Sequence, residues 1–257
     1  MLAAKKNGLT KLLTFGGCYS NHIYATAAAG QRFGFETIGI IRGPEPKNYS
    51  TTLNFARKSG MQLKFISREQ YRSKSDSCFI DEIKKEYGSV YILPEGGTNS
   101  LAVDSCAEYI SNIPPQYDVI GCACGTGGTI AGFIKGLENS REVIGFPVLK
   151  GGDFLNQDIQ VLLDSTTKQH FNNWRLNTDY HFGGYGRSNQ ELENFITSFY
   201  KTHNVPLEPV YTGKMMFGLF DLIKKGYFKK HTHILAIHSG GLQGLDGFPE
   251  LKEKMGL

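Results

Sequence analysis

The stretch Cys124-Gly125-Thr126-Gly127-Gly128-Thr129-Ile130-Ala131-Gly132 decides the fold. It follows the apolar run Tyr117 to Cys124 and precedes a helical pattern that begins near Thr129. A buried strand, a turn of exposed amides and a helix amino terminus form an anion seat, because free N–H groups and the positive end of the helix dipole converge on one point. A dinucleotide fingerprint would need glycine where Ile130 stands, and no Gly-Lys-Ser/Thr follows as a P-loop requires. The spacing therefore suits one phosphate monoester better than a pyrophosphate.

A second glycine turn strengthens the reading. Leu12 to Phe15 reads as a short buried strand, and Gly16-Gly17-Cys18-Tyr19-Ser20-Asn21-His22 opens a helix that runs to about Phe33. Ser20 or Asn21 can cap that helix and aim its first amides at an anion such as a substrate carboxylate. From the residues alone, Ser20 is a helix cap.

Three motifs occur in order: Gly-Gly-x-x-Ser-Asn-His after a strand, Gly-Thr-Gly-Gly-Thr, and Tyr211-Thr212-Gly213-Lys214. Together they resemble the family of D-cysteine desulfhydrase and 1-aminocyclopropane-1-carboxylate (ACC) deaminase, from Leu12 to Gly244. The resemblance implies pyridoxal 5′-phosphate (PLP) as cofactor and the fold of the tryptophan synthase β subunit, PLP fold type II: an α/β protein of two lobes, each an open parallel sheet with crossover helices. It also implies a homodimer and a small amino acid substrate.

Site roles follow from that resemblance. Gly125, Thr126, Gly127, Gly128 and Thr129 would hold the cofactor phosphate, and Asn21 the ring oxygen. Ser20 would face the reacting carbon, and Tyr211 and Tyr185 would flank the substrate as proton carriers. ACC deaminases carry a carboxylate where this chain has Thr212; Ser239 in His238-Ser239-Gly240-Gly241 lies where related enzymes set a hydroxyl against the ring nitrogen. Whether Thr212 or Ser239 makes that contact, a neutral hydroxyl suits β-elimination of a good leaving group. His22 points the same way, since ACC deaminases have glutamine there. The expected reaction is thus desulfhydrase-like α,β-elimination to pyruvate and ammonia, with ACC deamination as the alternative.

In the family the Schiff-base lysine sits one helix ahead of the Gly-Gly-x-x-Ser-Asn turn, and here that position falls before Met1. Lys5 and Lys6 close a short helical stretch, Leu2 to Lys6, and Lys11 enters a strand at its amino end. Ligands of open parallel sheets bind beyond the carboxyl ends, so none of the three takes the role. The sequence reads as an N-terminally incomplete enzyme or as a short form that holds PLP without catalysis.

Composition agrees with an intracellular enzyme. With 257 residues and 40% apolar content the chain can bury roughly 70 to 75% of its unfolded surface. Five cysteines without framework spacing read as reduced thiols, and neither a long apolar run nor a leader appears, so the expectation is a cytoplasmic protein with no membrane partner. Net charge is +4 with scattered lysines, which gives nucleic-acid binding no support beyond Lys224-Lys225 and Lys229-Lys230, a solvated helix end. Cys122 and Cys124 share one strand face without a second ligand pair, so no metal is expected. His181, His231 and His233 read as surface or core histidines. Glu95 to Asn99 reads as a turn into a helix, and in the family it lies near the cofactor.

Strand-like and helical runs alternate, which argues for parallel sheets with crossover helices. The strand-like runs are Leu12 to Phe15, Thr37 to Arg42, Gln62 to Ile66, Val90 to Leu93, Val119 to Ala123, Glu142 to Pro147 and His233 to His238. Residues 11–97 are expected to form a small lobe, and 1–10 with 98–257 a larger PLP-binding lobe. Gly151 to Gly186 is the least periodic segment and is expected to form long loops.

Overall fold

The computed structural model describes residues 1–257. The chain divides into two units, Met1–Gly97 and Thr98–Leu257. In the first, strands β1 (Lys11–Gly16), β2 (Glu36–Arg42), β3 (Gln62–Ile66) and β4 (Tyr91–Ile92) form a parallel sheet in the order β3-β2-β1-β4. Helices α1 (Leu2–Lys6), α2 (Asn21–Phe33), α3 (Thr51–Lys58), α4 (Arg68–Arg72) and α5 (Ser77–Tyr87) accompany it. Leu13, Phe15, Ile38 and Ile40 bury one side of this sheet with Tyr71 and Ile83, and Ile23 and Ala27 of α2 pack with Ile41, Leu53 and Ala56.

Residues 1–10 do not join the larger unit as the sequence reading assigned them. Ala4 of α1 is buried against Leu12 and Phe35, with Met1 and Leu9 beside them, so this segment closes the core of the first unit. Lys5 lies over the Phe35 ring, and Lys11 pairs with Glu36 at the amino ends of β1 and β2.

The second unit holds α6 (Ser100–Ser111), β5 (Val119–Cys124), α7 (Gly128–Leu137), β6 (Glu142–Pro147), α8 (Leu155–Asp164), β7 (Trp174–Leu176), α9 (Gln190–His203), α10 (Thr212–Lys224), β8 (Ile234–Ala236) and α11 (Pro249–Met255). Its sheet is also parallel, in the order β7-β6-β5-β8. The segment expected to form long loops carries two elements. Leu155, Ile159 and Leu163 recur at helical spacing and bury α8 against the core of α7, while β7 gains its three residues only by pairing with β6.

Two close approaches set α7. A Cβ on Gly132 would stand 2.2 Å from Cβ of Cys106, and one on Gly136 would stand 2.3 Å from the Ala107 carbonyl oxygen. Only hydrogen at both positions lets α6 lie this near, and Ile130, Phe133, Ile134 and Leu137 then fill the remaining core. Gly136→Ala should destabilise the protein by about 1 to 3 kcal/mol through overpacking. Urea unfolding monitored by circular dichroism checks this, with Gly17→Ala as a comparison at a glycine outside the left-handed region whose added methyl meets only the end of the Arg42 side chain, 3.7 Å away.

Candidate active site

Both glycine turns sit where sheet order reverses. β1 lies between β2 and β4, and β5 between β6 and β8; the turns Gly16–Ser20 and Gly125–Gly127 leave the carboxyl ends of those two strands. Ligands of open parallel sheets bind at such switch points. Within the second unit, β5 and β8 pair in register through Gly121 and Ala236, and the Ile237 amide donates to the Gly121 carbonyl. The turns that follow them, at Gly125 and at Ser239, therefore emerge side by side.

The turn after β5 has the form an anion seat requires. Gly127 adopts the left-handed conformation at φ 81° and is the N-cap of α7, offering no side chain to cap the helix. A Cβ on Gly127 would also stand 2.9 Å from Ile159. The Thr126 hydroxyl bonds to that of Thr98, bringing a second hydroxyl to the turn. Sequence reading placed the Glu95 to Asn99 stretch nearby without singling out Thr98; Asn99 caps α6 by accepting from the Ala102 amide.

Tyr211 and Tyr185 meet at the same place. Their rings stand 5.9 Å apart at 77°, edge to face, and a methyl on Gly125 would lie 3.2 to 3.3 Å from the Tyr211 ring edge and hydroxyl. Two buried ions that the sequence reading gave no role stand behind them. Glu208, 1% exposed, accepts 2.7 Å hydrogen bonds from the amides of Val210, Tyr211 and Thr212. Burial pushes its carboxyl up, while these amides pull the other way. Lys214 is fully buried, and its ammonium donates to the carbonyls of Gly184 at 2.7 Å, His181 at 2.9 Å and Val148 at 3.4 Å. Burial lowers it to about 8, with Glu208 opposing.

Thr212 is fully buried, and its hydroxyl is committed to Glu208: it donates to the carboxylate at 3.3 Å and accepts the Glu208 amide at 3.1 Å. Ser239 is exposed on a turn folded around His238, whose Nδ1 accepts from the Gly240 amide and whose Nε2 donates to the Pro206 carbonyl. Of the two hydroxyls weighed for a ring nitrogen, the structure ties down the first and leaves the second at the surface.

In the first unit, Ser20 caps α2, its hydroxyl oxygen accepting from the Ile23 amide at 3.3 Å. Asn21 is the first helical residue, and its side chain is half-buried. His22 follows: its Nε2 lies 2.7 Å from the Thr14 hydroxyl, which donates to the Leu93 carbonyl at 3.1 Å. Because Thr14 gives its proton to Leu93, Nε2 must carry the imidazole proton. Burial lowers this histidine from 6.5 to about 4, against the opposing charge of Glu95.

Other candidates stay structural. Cys122 and Cys124 are buried, and the Cys124 thiol points at the Cys122 carbonyl 3.7 Å away; the hydrogen bond with Cys124 and burial hold the Cys122 thiol far above its ordinary range, where it is unreactive. His233 bonds the Gln116 carbonyl, and His181 Nδ1 accepts from the Gly183 amide. A polar groove of about 450 Å³ lined by Asp118, Arg141, Glu142 and Arg175 lies at the amino ends of β5 and β6, the opposite end of those strands from the turn at Gly125. No helix is long and apolar enough to cross a membrane.

A parallel α/β fold with a glycine turn at its switch point and two tyrosines beside that turn is an arrangement suited to a phosphorylated ligand. The profile of the family described as pyridoxal-phosphate dependent enzyme matches residues 1–240, and the chain belongs to that family. It is 31% identical over 254 residues to a Pyrococcus furiosus protein provisionally named 1-aminocyclopropane-1-carboxylate deaminase, covering 91% of this chain and 74% of the relative. It is also 31% identical over 269 residues to an Arabidopsis thaliana protein named bifunctional D-cysteine desulfhydrase/1-aminocyclopropane-1-carboxylate deaminase, mitochondrial, covering 95% and 67%. Among solved structures, an ACC deaminase homologue superposes with TM-score 0.84 at 25% identity, over 98% of this chain and 80% of that one. The fold is thus that of the type II PLP enzymes, and PLP is the family's cofactor.

The residues present fit that cofactor's phosphate. Gly125 and Gly128 leave space that a Cβ would fill, one beside the Tyr211 ring and the other 3.0 Å from the Thr98 hydroxyl, and α7 directs its first amides into the turn. Gly127→Ala would force alanine into the left-handed region, at about 1 to 2 kcal/mol, and press its methyl on Ile159. PLP affinity measured by absorbance titration should fall at least tenfold. A second expectation concerns pH. The native state holds His22 neutral, so its contribution is complete above pH 6.5 and is lost as pH falls toward 4, by no more than about 3 kcal/mol. Thermal unfolding of wild type and His22→Gln between pH 7 and 4 checks this: the wild type should lose stability relative to the variant across that window.

Proposed function

We propose that this chain supplies the cofactor and substrate site of an enzyme for α,β-elimination on a small amino acid, which converts cysteine and water to hydrogen sulfide, pyruvate and ammonia. The supporting observation is the environment of residue 212. A neutral threonine stands after Tyr211, buried and bound to Glu208, while the Glu208 oxygens are occupied by three amides. No carboxylate is left at that position to protonate a pyridine nitrogen, and Ser239 beside the anion turn offers a neutral hydroxyl instead.

In this reading the amides of Gly125 to Thr129 and the Thr126 hydroxyl hold the cofactor phosphate. Asn21 serves the ring oxygen and Ser239 the ring nitrogen. When bound, PLP supplies an electron sink for the substrate α-carbon. Tyr211 and Tyr185 hold or deliver protons at the substrate, and Ser20 contacts its reacting side, as the resemblance to the desulfhydrases implies. A homodimer and a cytoplasmic location belong to the same reading, the first resting on the fold resemblance and the second on five free cysteines.

The test is product analysis with the purified protein and added PLP. Sulfide and pyruvate should form from one cysteine enantiomer with kcat/KM at least ten times that for 2-oxobutanoate from ACC. The reverse ratio favours ACC deamination, the activity named for the relatives, and PLP binding without turnover favours a non-catalytic holder. Ser239→Asp, which sets a carboxylate at the proposed nitrogen contact, should lower cysteine elimination by tenfold or more; an unchanged kcat refutes the role given to Ser239.

A further inference from the structure

The loop that carries Tyr185 has an expensive shape. Phe182 lies at φ 50°, Gly183 at φ 90°, Gly184 at φ 116° and Gly186 at φ 66°. A phenylalanine in the left-handed region is sparsely populated and persists only where its surroundings impose it. Local bonds close the loop: the Gly183 amide to His181 Nδ1, the Gly184 amide to the His181 carbonyl, and the Arg187 amide to the Gly184 carbonyl. Such a short internal set would not hold a half-exposed tyrosine against solvent.

The restraint comes from α10. All three protons of the Lys214 ammonium go to backbone carbonyls on two separate segments, Val148 after β6 and His181 with Gly184 in the loop. Gly184 immediately precedes Tyr185. Four residues before Thr212 begins the helix, the Glu208 carboxylate gathers the amides of Val210, Tyr211 and Thr212, which fixes the backbone that bears Tyr211. Thus each of the two facing tyrosines is attached to a stretch held by one buried ion, and the two ions are opposite in charge and flank the first turn of α10.

We infer that Lys214 and Glu208 are positioning residues, which lock Tyr185 and Tyr211 edge to face over the anion turn so that both phenols meet one substrate. This deepens the function proposed above and rests on it for the substrate's identity. Stability alone does not account for the cation. The lowered affinity of Lys214 for its proton means that the folded state pays to keep the ammonium charged at neutral pH, and buried ions are often replaced by apolar side chains without loss of stability. What an apolar side chain could not do is draw three carbonyls from separate segments to one point.

Hydrogen exchange followed by mass spectrometry tests the tie on the protein without substrate. In Lys214→Met the amides of 182–187 should exchange at least tenfold faster than in wild type, with α7 and β5 unchanged; in Glu208→Gln the acceleration should fall on 210–212. PLP affinity should stay within threefold for both variants, while kcat for the amino acid falls at least tenfold with little change in KM. Equal exchange of 182–187 in wild type and Lys214→Met overturns the inference, as does a loss of PLP affinity as large as the loss of kcat. Should Lys214→Met fail to fold, the wild type still decides: a slowly exchanging ¹⁵N ammonium resonance, resolved at pH 6 and attributable to a fully hydrogen-bonded lysine, supports the tie, and its absence overturns it. A wild type that turns over no amino acid defeats the proposed reaction, and the exchange and ammonium measurements then still report on the loop by themselves.

Discussion

The pairing of β5 with β8 is the constraint from which the second unit's site follows. Both strands run the same way and share register at Gly121 and Ala236, so the segments leaving their carboxyl ends must appear together. One is the turn at Gly125 to Gly127 and the other the turn at Ser239. α7 then leaves the first turn with its amino end toward it, and Gly132 and Gly136 seat that helix against α6 closely enough that its direction is fixed. Tyr211 reaches the same point from the start of α10. A glycine turn, a hydroxyl and two phenols thereby come from four places in the sequence.

The electrostatics of this region are arranged around backbone groups more than around side-chain pairs. Glu208 is a carboxylate whose oxygens face amides, and Lys214 an ammonium whose protons face carbonyls. Such contacts are stronger than neutral hydrogen bonds because one partner carries full charge. They organise main chain at the start of a helix and in a loop that have little regular structure of their own. The first unit uses a neutral device for a comparable purpose, the relay from His22 through Thr14 to Leu93.

Much of this was legible because it is local. Alternating strand and helix patterns, the Gly-Thr-Gly-Gly-Thr turn and the Ser20 cap each depend on neighbours a few residues away, and the strands and helices observed lie close to where periodicity puts them. Glu208 was not legible: a lone glutamate before Pro209 looks like surface charge until the chain folds back on itself at 210–212. Lys214 sat in a motif that carried the family resemblance, yet nothing in its spacing says that it would be drawn inward to carbonyls thirty or more positions away. The Gly151 to Gly186 stretch hid α8, although Leu155, Ile159 and Leu163 recur at helical spacing, because the glycines and asparagines around them dilute the pattern. β7 is too short to show any period, and the place of residues 1–10 turned on a single buried side chain, Ala4.

Gly132 and Gly136 have a further effect. With no atoms to spare between them at Gly132 and Gly136, α7 cannot move closer to α6. A ligand held at the amino end of α7, as in the proposed function, would meet a helix that cannot settle toward α6 to improve a poor fit, so selection there would rest on the ligand's own shape.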